Sequence, residues 1–220
     1  MEYTHKPYGP YEKFIKRPLD LVLSLGAIVV LSPVMGITAI LVRKKLGSPI
    51  LYRTIRAGRI DSKTGIEQPF ELIKFRTMTN ETDENGELLS DTDRLTHFGR
   101  ILRAMSLDEL PELINIIRGD MSIIGPRPLP TIYLPYYSEE EHHRHDVKPG
   151  LSGLAQVNGR NSVSWERKFE YDLTYVKKIT FKEDMRIVLD TIKKVITHEG
   201  IGQGEEAPES LHILRKNRAN

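Results

Sequence analysis

The sequence predicts an α+β fold, mostly helical, that sits on a membrane as a monotopic protein instead of crossing it. Three observations predict it. One segment of this 220-residue chain, within "DLVLSLGAIVVLSPVMGITAILVRKK" from Asp20, is apolar over membrane length. That segment is basic on both sides and carries Ser32-Pro33 near its centre. After it, short strand patterns and amphipathic helical patterns take over, as expected of a body that folds in water or at an interface.

The apolar segment comes first. As a continuous helix, Leu21 to Val42 would measure about 33 Å, one bilayer core, so length alone reads as a transmembrane span. Lys13, Lys16 and Arg17 precede it, and Arg43, Lys44 and Lys45 follow. Juxtamembrane Lys and Arg stay on the cytoplasmic side, so a single crossing puts one cluster on the wrong face. Pro33 also removes a backbone donor and clashes with the preceding turn, at about 3 kcal/mol in an ordinary helix interior. The carbonyl it frees needs a partner in lipid, and the Ser32 hydroxyl is a local candidate. A re-entrant helix-break-helix over residues 19–45, broken at Ser32-Pro33, meets both constraints; a kinked span is the alternative. Residues 1–18 are then a basic lead-in, 46–200 a body at the membrane interface, and 201–220 a polar tail expected to fray.

Within the body, "SPILYRTI" and "QPFELIKF" read as strands of a hairpin around the polar turn "DSKTG". Asn85-Gly86 in "DENGEL" suits a left-handed turn. "LTHFGRILRAM" places Phe98, Ile101, Leu102 and Met105 at helical spacing. "DELPELINIIRGD" reads as another helix, with Leu110, Leu113, Ile114 and Ile117 as its apolar stripe and Gly119 as its stop. The Pro- and Gly-rich stretch from Ser122 to Asn161 reads as loop. Ser164 can cap "WERKFEYDLTYVKKI". Thr180 and Glu183 open a last helix with Met185, Val188, Leu189, Ile192, Val195 and Ile196 on one face. Its other side carries Lys182, Arg186, Lys193 and Lys194, which fits an anionic leaflet or a helix packed on the core.

Composition narrows the chemistry. The net charge of +2 averages basic membrane flanks against the acidic "NETDENGELLSDTD". The absence of cysteine excludes a disulfide framework, a thiol nucleophile and a cysteine metal site. The apolar run is too long for a cleaved signal peptide and ends in "LVRKK". Trp165 and Phe169 read as core or interfacial anchors, and no nucleic-acid partner is expected.

Asp108 and Glu109 are adjacent carboxylates where a helix should begin. Ser106 and Glu109 have capping-box spacing, and Asp108 could itself be the N-cap, so helix capping accounts for the pair without chemistry. Their company gives the other account. Arg103 precedes them, "GPRP" presents Arg127 in a stiff loop, and "NGRN" presents Arg160 beside a glycine. Arginines clamp phosphate oxygens bidentately, and carboxylates with convergent arginines suggest Mg²⁺ and a phosphorylated substrate. In "KFRTM", Lys74 and Arg76 could face phosphate or simply be solvated. In "HHRHD", His142, His145 and Asp146 could share a helical face and bind a transition metal, but "VKPG" breaks that helix and no fourth ligand is evident.

"KFRTM", "SLDELPELINIIRGDMSIIGPRP", "HRHDVKPGLSGLAQVNGRN" and "SWERKFEYD", in this order after a basic-flanked Ser-Pro membrane segment, resemble the monotopic phosphoglycosyl transferases, the bacterial sugar transferase family. The similarity runs from about Tyr11 to Gly200. It looks like the small, single-domain subgroup that includes diacetylbacillosamine-phosphate transferases. The resemblance implies a re-entrant helix broken at Ser32 and Pro33, and an Asp108-Glu109 catalytic dyad with Asp108 as nucleophile and Mg²⁺ bound near it. It implies a UDP-sugar as donor and undecaprenyl phosphate as acceptor, with UMP released, at the cytoplasmic leaflet of a bacterial inner membrane. Arg103, Arg127 and Arg160 would hold phosphate or nucleotide, with Lys74 a further candidate and Glu109 assigned to positioning or proton handling. Two departures stand out: Thr54 where Gln is common, and Glu112, which replaces a frequent Gln and adds negative charge near the site. A glycosyltransferase releasing UDP and a membrane adaptor with a merely capping dyad are the competing readings; the sugar is open, as is assembly into a homo-oligomer.

Overall fold

The computed structural model describes residues 5–159, 163–197 and 210–219. A π-helical turn at Tyr11–Ile15 leads into α1, Lys16–Leu46, which stays helical through Pro33. The expected helix-break-helix is not found: α1 is one continuous helix, and Pro33 costs it a single hydrogen bond. Pro33 offers no N–H to the Val29 carbonyl one turn back, and Ser32 Oγ donates to that oxygen at 2.8 Å instead.

One stripe of α1 packs on the body along its whole length. Asp20, Ser24, Thr38 and Val42 are buried. Ala27 and Ile28 lie against Leu113, Ile116 and Met121, while Met35 and Ala39 lie against Phe75 and Leu102. Polar ties fix the first turns: Arg17 donates to the carbonyls of Ile116 and Ile117 at 2.6 and 3.0 Å, and Asp20 accepts from Ser122 Oγ at 2.6 Å. The opposite face is apolar and open, with Val29 and Val30 each 74 % exposed. A spanning helix carries one end a bilayer's width away from the water-soluble body. Both ends of α1 stay on it, as a monotopic anchor requires.

β1 (Leu51–Ile60) and β2 (Glu67–Phe75) form the expected antiparallel hairpin, Leu51 opposite Phe75, with a bulge between Ala57 and Ile60. In the Asn85-Gly86 turn, Asp83 accepts the N–H groups of Asn85 and Glu87, and Gly86 is left-handed at φ +81°. α2 (Asp91–Arg94) and α3 (His97–Ala104) follow, the latter capped by Thr96. Next come α4 (Glu112–Arg118), β3 (Ser122–Ile124), α5 (Glu139–His142), β4 (Gly150–Ser152), α6 (Leu154–Val157), α7 (Trp165–Lys177), α8 (Phe181–Thr197) and α9 (Leu211–Ala219). Ser164 and Thr180 cap as expected, each accepting a backbone N–H three residues on.

Four further expectations change. The stretch from Ser122 to Asn161 is not all loop: β3 and β4 pair in parallel. That pairing needs glycine, because a Cβ on Gly150 would lie 2.1 Å from the Gly125 nitrogen. α4 is rotated from its expected stripe, burying Leu113, Asn115 and Ile116 in place of Ile114 and Ile117. The polar Asn115 is accepted in the core because its amide bonds Ile73 N at 3.1 Å and the Glu71 carbonyl at 2.7 Å. α8 buries Ile187 and Asp184 but leaves Met185, Leu189, Ile192 and Ile196 exposed, a second apolar face of the kind an interfacial helix presents. Finally, part of the tail is ordered: Leu211 is fully buried with Tyr133, Tyr137, Trp165 and Phe169, and Arg215 pairs with Glu141.

Candidate active site

The chain leaves α3 through Ser106, a non-glycine residue in the left-handed region at φ +54°, and enters a tight 3₁₀ turn at Leu107–Glu109. α4 starts only at Glu112, after Pro111. Neither capping arrangement forms: the Ser106 side chain caps nothing, and Asp108 lies inside the turn. The two carboxylates are therefore free of a capping duty, and their surroundings separate them.

Glu109 is engaged through one oxygen. Its Oε1 takes Lys74 Nζ at 2.7 Å and Arg127 Nη2 at 3.2 Å, and Lys74 reaches on to Glu112 Oε1 at 3.0 Å. Burial pushes the Glu109 carboxyl up, but Lys74 and Arg127 outweigh it and hold it well below the usual carboxylate range. Glu112 goes the other way: its burial, with Glu109 close by, outweighs its share of Lys74 and raises it. Burial likewise opposes the charge on Lys74, which the two glutamates stabilise.

Asp108 is 7 % exposed, yet among the described residues its carboxylate accepts no hydrogen bond and enters no ion pair. Burial and the neighbouring Glu109 charge raise its pKa against the pull of Lys74, Arg103 and Arg127. A partly desolvated carboxylate without a donor is a competent nucleophile and a ready ligand for a hard cation.

Lys74, Glu109 and Arg127 thus meet as expected. Arg103 stands close enough for its charge to act on Asp108 and donates to Thr77 Oγ1 at 3.1 Å. Arg76 turns away to the Ser48 carbonyl. Arg160 lies outside the described residues, and Ser32 and Pro33 belong to α1, away from the cluster. The histidines do not converge on a metal. Past α5 the chain tightens into a 3₁₀ turn, so His142 meets Glu67, His143 meets Asp146, and His145 meets the Gly58 carbonyl. Among the described residues no group of three His, Asp or Glu is arranged to hold a metal.

Sequence reasoning missed two contributors. The Arg56 side chain has no hydrogen bond or ion pair among the described residues, its Nε is buried, and burial and the Arg127 charge oppose its own. The strand pattern ended at Ile55 and gave no sign that this side chain faces the Arg127 loop. The other is Arg144, 2 % exposed, whose Nη2 donates to the Arg127 carbonyl and to Asp172 Oδ2, both at 2.7 Å. Arg144 fixes the backbone that presents Arg127, from a motif that drew notice for its histidines and Asp146.

Residues 11–198 match the family model described as "Bacterial sugar transferase". The chain is 47% identical over 189 residues to an uncharacterized sugar transferase, EpsL, of Bacillus subtilis, covering 86% of this chain and 91% of that one. It is 34% identical over 208 residues to the UDP-glucose:undecaprenyl-phosphate glucose-1-phosphate transferase of Caulobacter vibrioides, covering 88% and 76%. It is also 33% identical over 200 residues to a UDP-N-acetylgalactosamine-undecaprenyl-phosphate N-acetylgalactosaminephosphotransferase of Aeromonas hydrophila, covering 87% of this chain and 46% of that protein. With a match from Tyr11 to near the end of α8 and a free Asp108 beside the cation-bound Glu109, the chain belongs to the bacterial sugar transferase family.

Proposed function

We propose that the protein transfers a sugar 1-phosphate from a UDP-sugar to undecaprenyl phosphate, releasing UMP and leaving undecaprenyl diphosphate sugar. The observation that carries this reading is the contrast between the dyad's two carboxylates: Glu109 is held by Lys74 and Arg127, while Asp108 has no partner among the described residues. Asp108 attacks the β-phosphorus of the donor; the bond from that phosphorus to the bridging oxygen breaks, and UMP departs with the oxygen. The acyl phosphate on Asp108 carries the sugar until an oxygen of undecaprenyl phosphate attacks the same phosphorus and restores the carboxylate. Arg127 and Lys74 face the phosphates, Glu109 positions both cations, and Arg103 and Arg56 supply further positive charge. Arg160 is proposed as a phosphate or nucleotide contact by family match.

The donor set fits Mg²⁺, a hard ion that takes one or two carboxylates together with substrate phosphate oxygens. Asp108 would hold it, and bound there it would offset diphosphate charge. The exposed faces of α1 and α8 support a placement at the water-lipid boundary, where a soluble nucleotide sugar and a lipid phosphate can share one site. We assign that boundary to the cytoplasmic leaflet of a bacterial inner membrane, because both basic flanks of α1 then stay on one side.

Nucleotide product analysis tests the reaction. Purified protein in lipid nanodiscs receives Mg²⁺, undecaprenyl phosphate and a panel of UDP-sugars. UMP from the wild type and none from Asp108→Asn is the expected result, and the active donor names the sugar. UDP release would make the protein a glycosyltransferase and end the covalent mechanism.

A further inference from the structure

A cavity of about 470 Å³ opens at the far end of the hairpin, lined among others by Gly58, Arg59, Lys63, Phe70, Gly119 and Lys148. None of the residues of the Asp108 cluster lines it. Phe70 and Lys74 are four residues apart on β2, about 13 Å along the strand. Arg17, from the first turn of α1, reaches the same place: its Nη2 and Lys148 Nζ come within 3.4 and 3.5 Å of where a Cβ on Gly119 would sit. Gly119, left-handed at φ +98°, keeps that space open.

The cavity is basic on balance: Arg59, Lys63 and Lys148 line it with Arg17 beside them, against the carboxylates of Asp61 and Asp120. Among the described residues, the side chains of Arg59 and Lys148 form no ion pair and no hydrogen bond. The two carboxylates in the lining, and Asp20 beside it, are held by neutral donors and pair with neither cation. Asp61 accepts from Lys63 N, Asp120 from Asn115 Nδ2, and Asp20 from Ser122 Oγ and Ile123 N. Burial, then the charges of Arg17 and Arg59, lower the Lys148 pKa, and the charges of Asp20 and Asp120 offset them only in part. Arginine beside lysine around an open space is the chemistry of a phosphate site. Its position is also informative. Val22, exposed on the outer face of α1, lies five residues beyond Arg17, about 8 Å along the axis, so this end of the cavity stands at headgroup depth.

We propose that this cavity is a second phosphate-binding site, distinct from the Asp108 cluster, in which Arg59 and Lys148 hold one phosphate group beside the charge of Arg17, whose guanidinium is anchored on the Ile116 and Ile117 carbonyls. A lipid headgroup and a soluble phosphate present the same group, and the test separates them. The full chain in phosphate-free dodecyl maltoside micelles is acetylated in the presence of increasing dihexanoyl-phosphatidylglycerol or of increasing inorganic phosphate. Modification of Lys148 is followed by peptide mass spectrometry, with the exposed Lys177 as internal control. Selective protection of Lys148 is expected from at least one of the two, and which one protects names the source. The half-protecting concentration should rise about tenfold in Arg59→Ala, the loss of one charge-assisted contact at an exposed position that leaves the core untouched. Failure of both ligands to protect Lys148, or protection equal in wild type and Arg59→Ala, would overturn the proposal. No transferase activity enters the readout, so the result is independent of the reaction at Asp108.

Discussion

Two clusters of charge meet at Arg127, and they are built to opposite plans. Its carbonyl belongs to the cluster of Arg144 and Asp172, one cation and one anion, 2 % and 3 % exposed, joined through Nε and Nη2 at 3.0 and 2.7 Å. Its side chain belongs to the other cluster, in which Lys74 and Arg127 face Asp108, Glu109 and Glu112. The first is one pair closed on itself; the second leaves Asp108 without a hydrogen bond or ion pair among the described residues. Removing a buried charge's partner is costly, so a fold tolerates an unpaired carboxylate only at a few places. The closed pair sets the geometry of the Arg127 loop, and the open cluster leaves Asp108 available to react.

The comparison breaks most visibly at Asp108. Asp108→Asn should lower UMP-forming turnover on the order of 10⁴-fold or more, while the thermal midpoint stays level or rises, because the amide removes a buried charge that had no partner. A large loss of stability in that variant would mean the carboxylate is structural. The closed pair should behave in the opposite sense. Arg144→Met strands Asp172 and should cost about 3–5 kcal/mol in denaturant unfolding, and the double variant Arg144→Met/Asp172→Leu should recover most of that. If the double variant regains stability but turnover stays low, the contact from Arg144 to the Arg127 carbonyl is what the reaction needs. Lys74→Met comes next, with kcat reduced about 10²-fold through loss of one preorganised cation. A KM effect alone would instead make Lys74 a uniform binding contact.

How much of this was legible depended on how local the signal was. The Asn85-Gly86 turn, the Ser164 and Thr180 caps and the Ser32 bond to Val29 each rest on residues within one turn of one another, the hairpin on two adjacent strand patterns, and each was expected from the sequence. The rotation of α4 was not, because Asn115 is in the core for its amide bonds to β2, and apolar periodicity does not count amides. β3 and β4 are three residues each and pair across a long separation, too short to show a period. At the site, Asp108 and Glu109 stood out with their arginines. Which of the two is free could not be read, since it depends on Lys74, 35 residues earlier, and Arg127, 18 residues later. Arg144 and Asp172 lie 28 residues apart and carry no shared motif.

The smallest expected effect concerns His145, which shares the closed side of the comparison. Burial first, then the Arg144 charge, hold its pKa well below 6.5, so it folds neutral with Nδ1 against the Gly58 carbonyl. Below pH 6.5 the unfolded chain takes up a proton there that the folded chain refuses, and stability falls as pH falls. One such group contributes a slope of up to about 1.4 kcal/mol per pH unit, and His145→Gln should remove it while leaving the profile above pH 7.5 unchanged. An unaltered slope in the variant would place the acid sensitivity elsewhere.

The central claim, that Asp108 reacts because its neighbours are committed to one another, is tested most directly by trapping the half-reaction. Wild-type protein with Mg²⁺ and its UDP-sugar, without undecaprenyl phosphate, is quenched and its intact mass and peptides are measured. The account predicts one equivalent of UMP and a sugar-phosphate adduct on the peptide containing Asp108, discharged when undecaprenyl phosphate is added. An adduct on Glu109, or turnover to product with no adduct on either carboxylate, would contradict it.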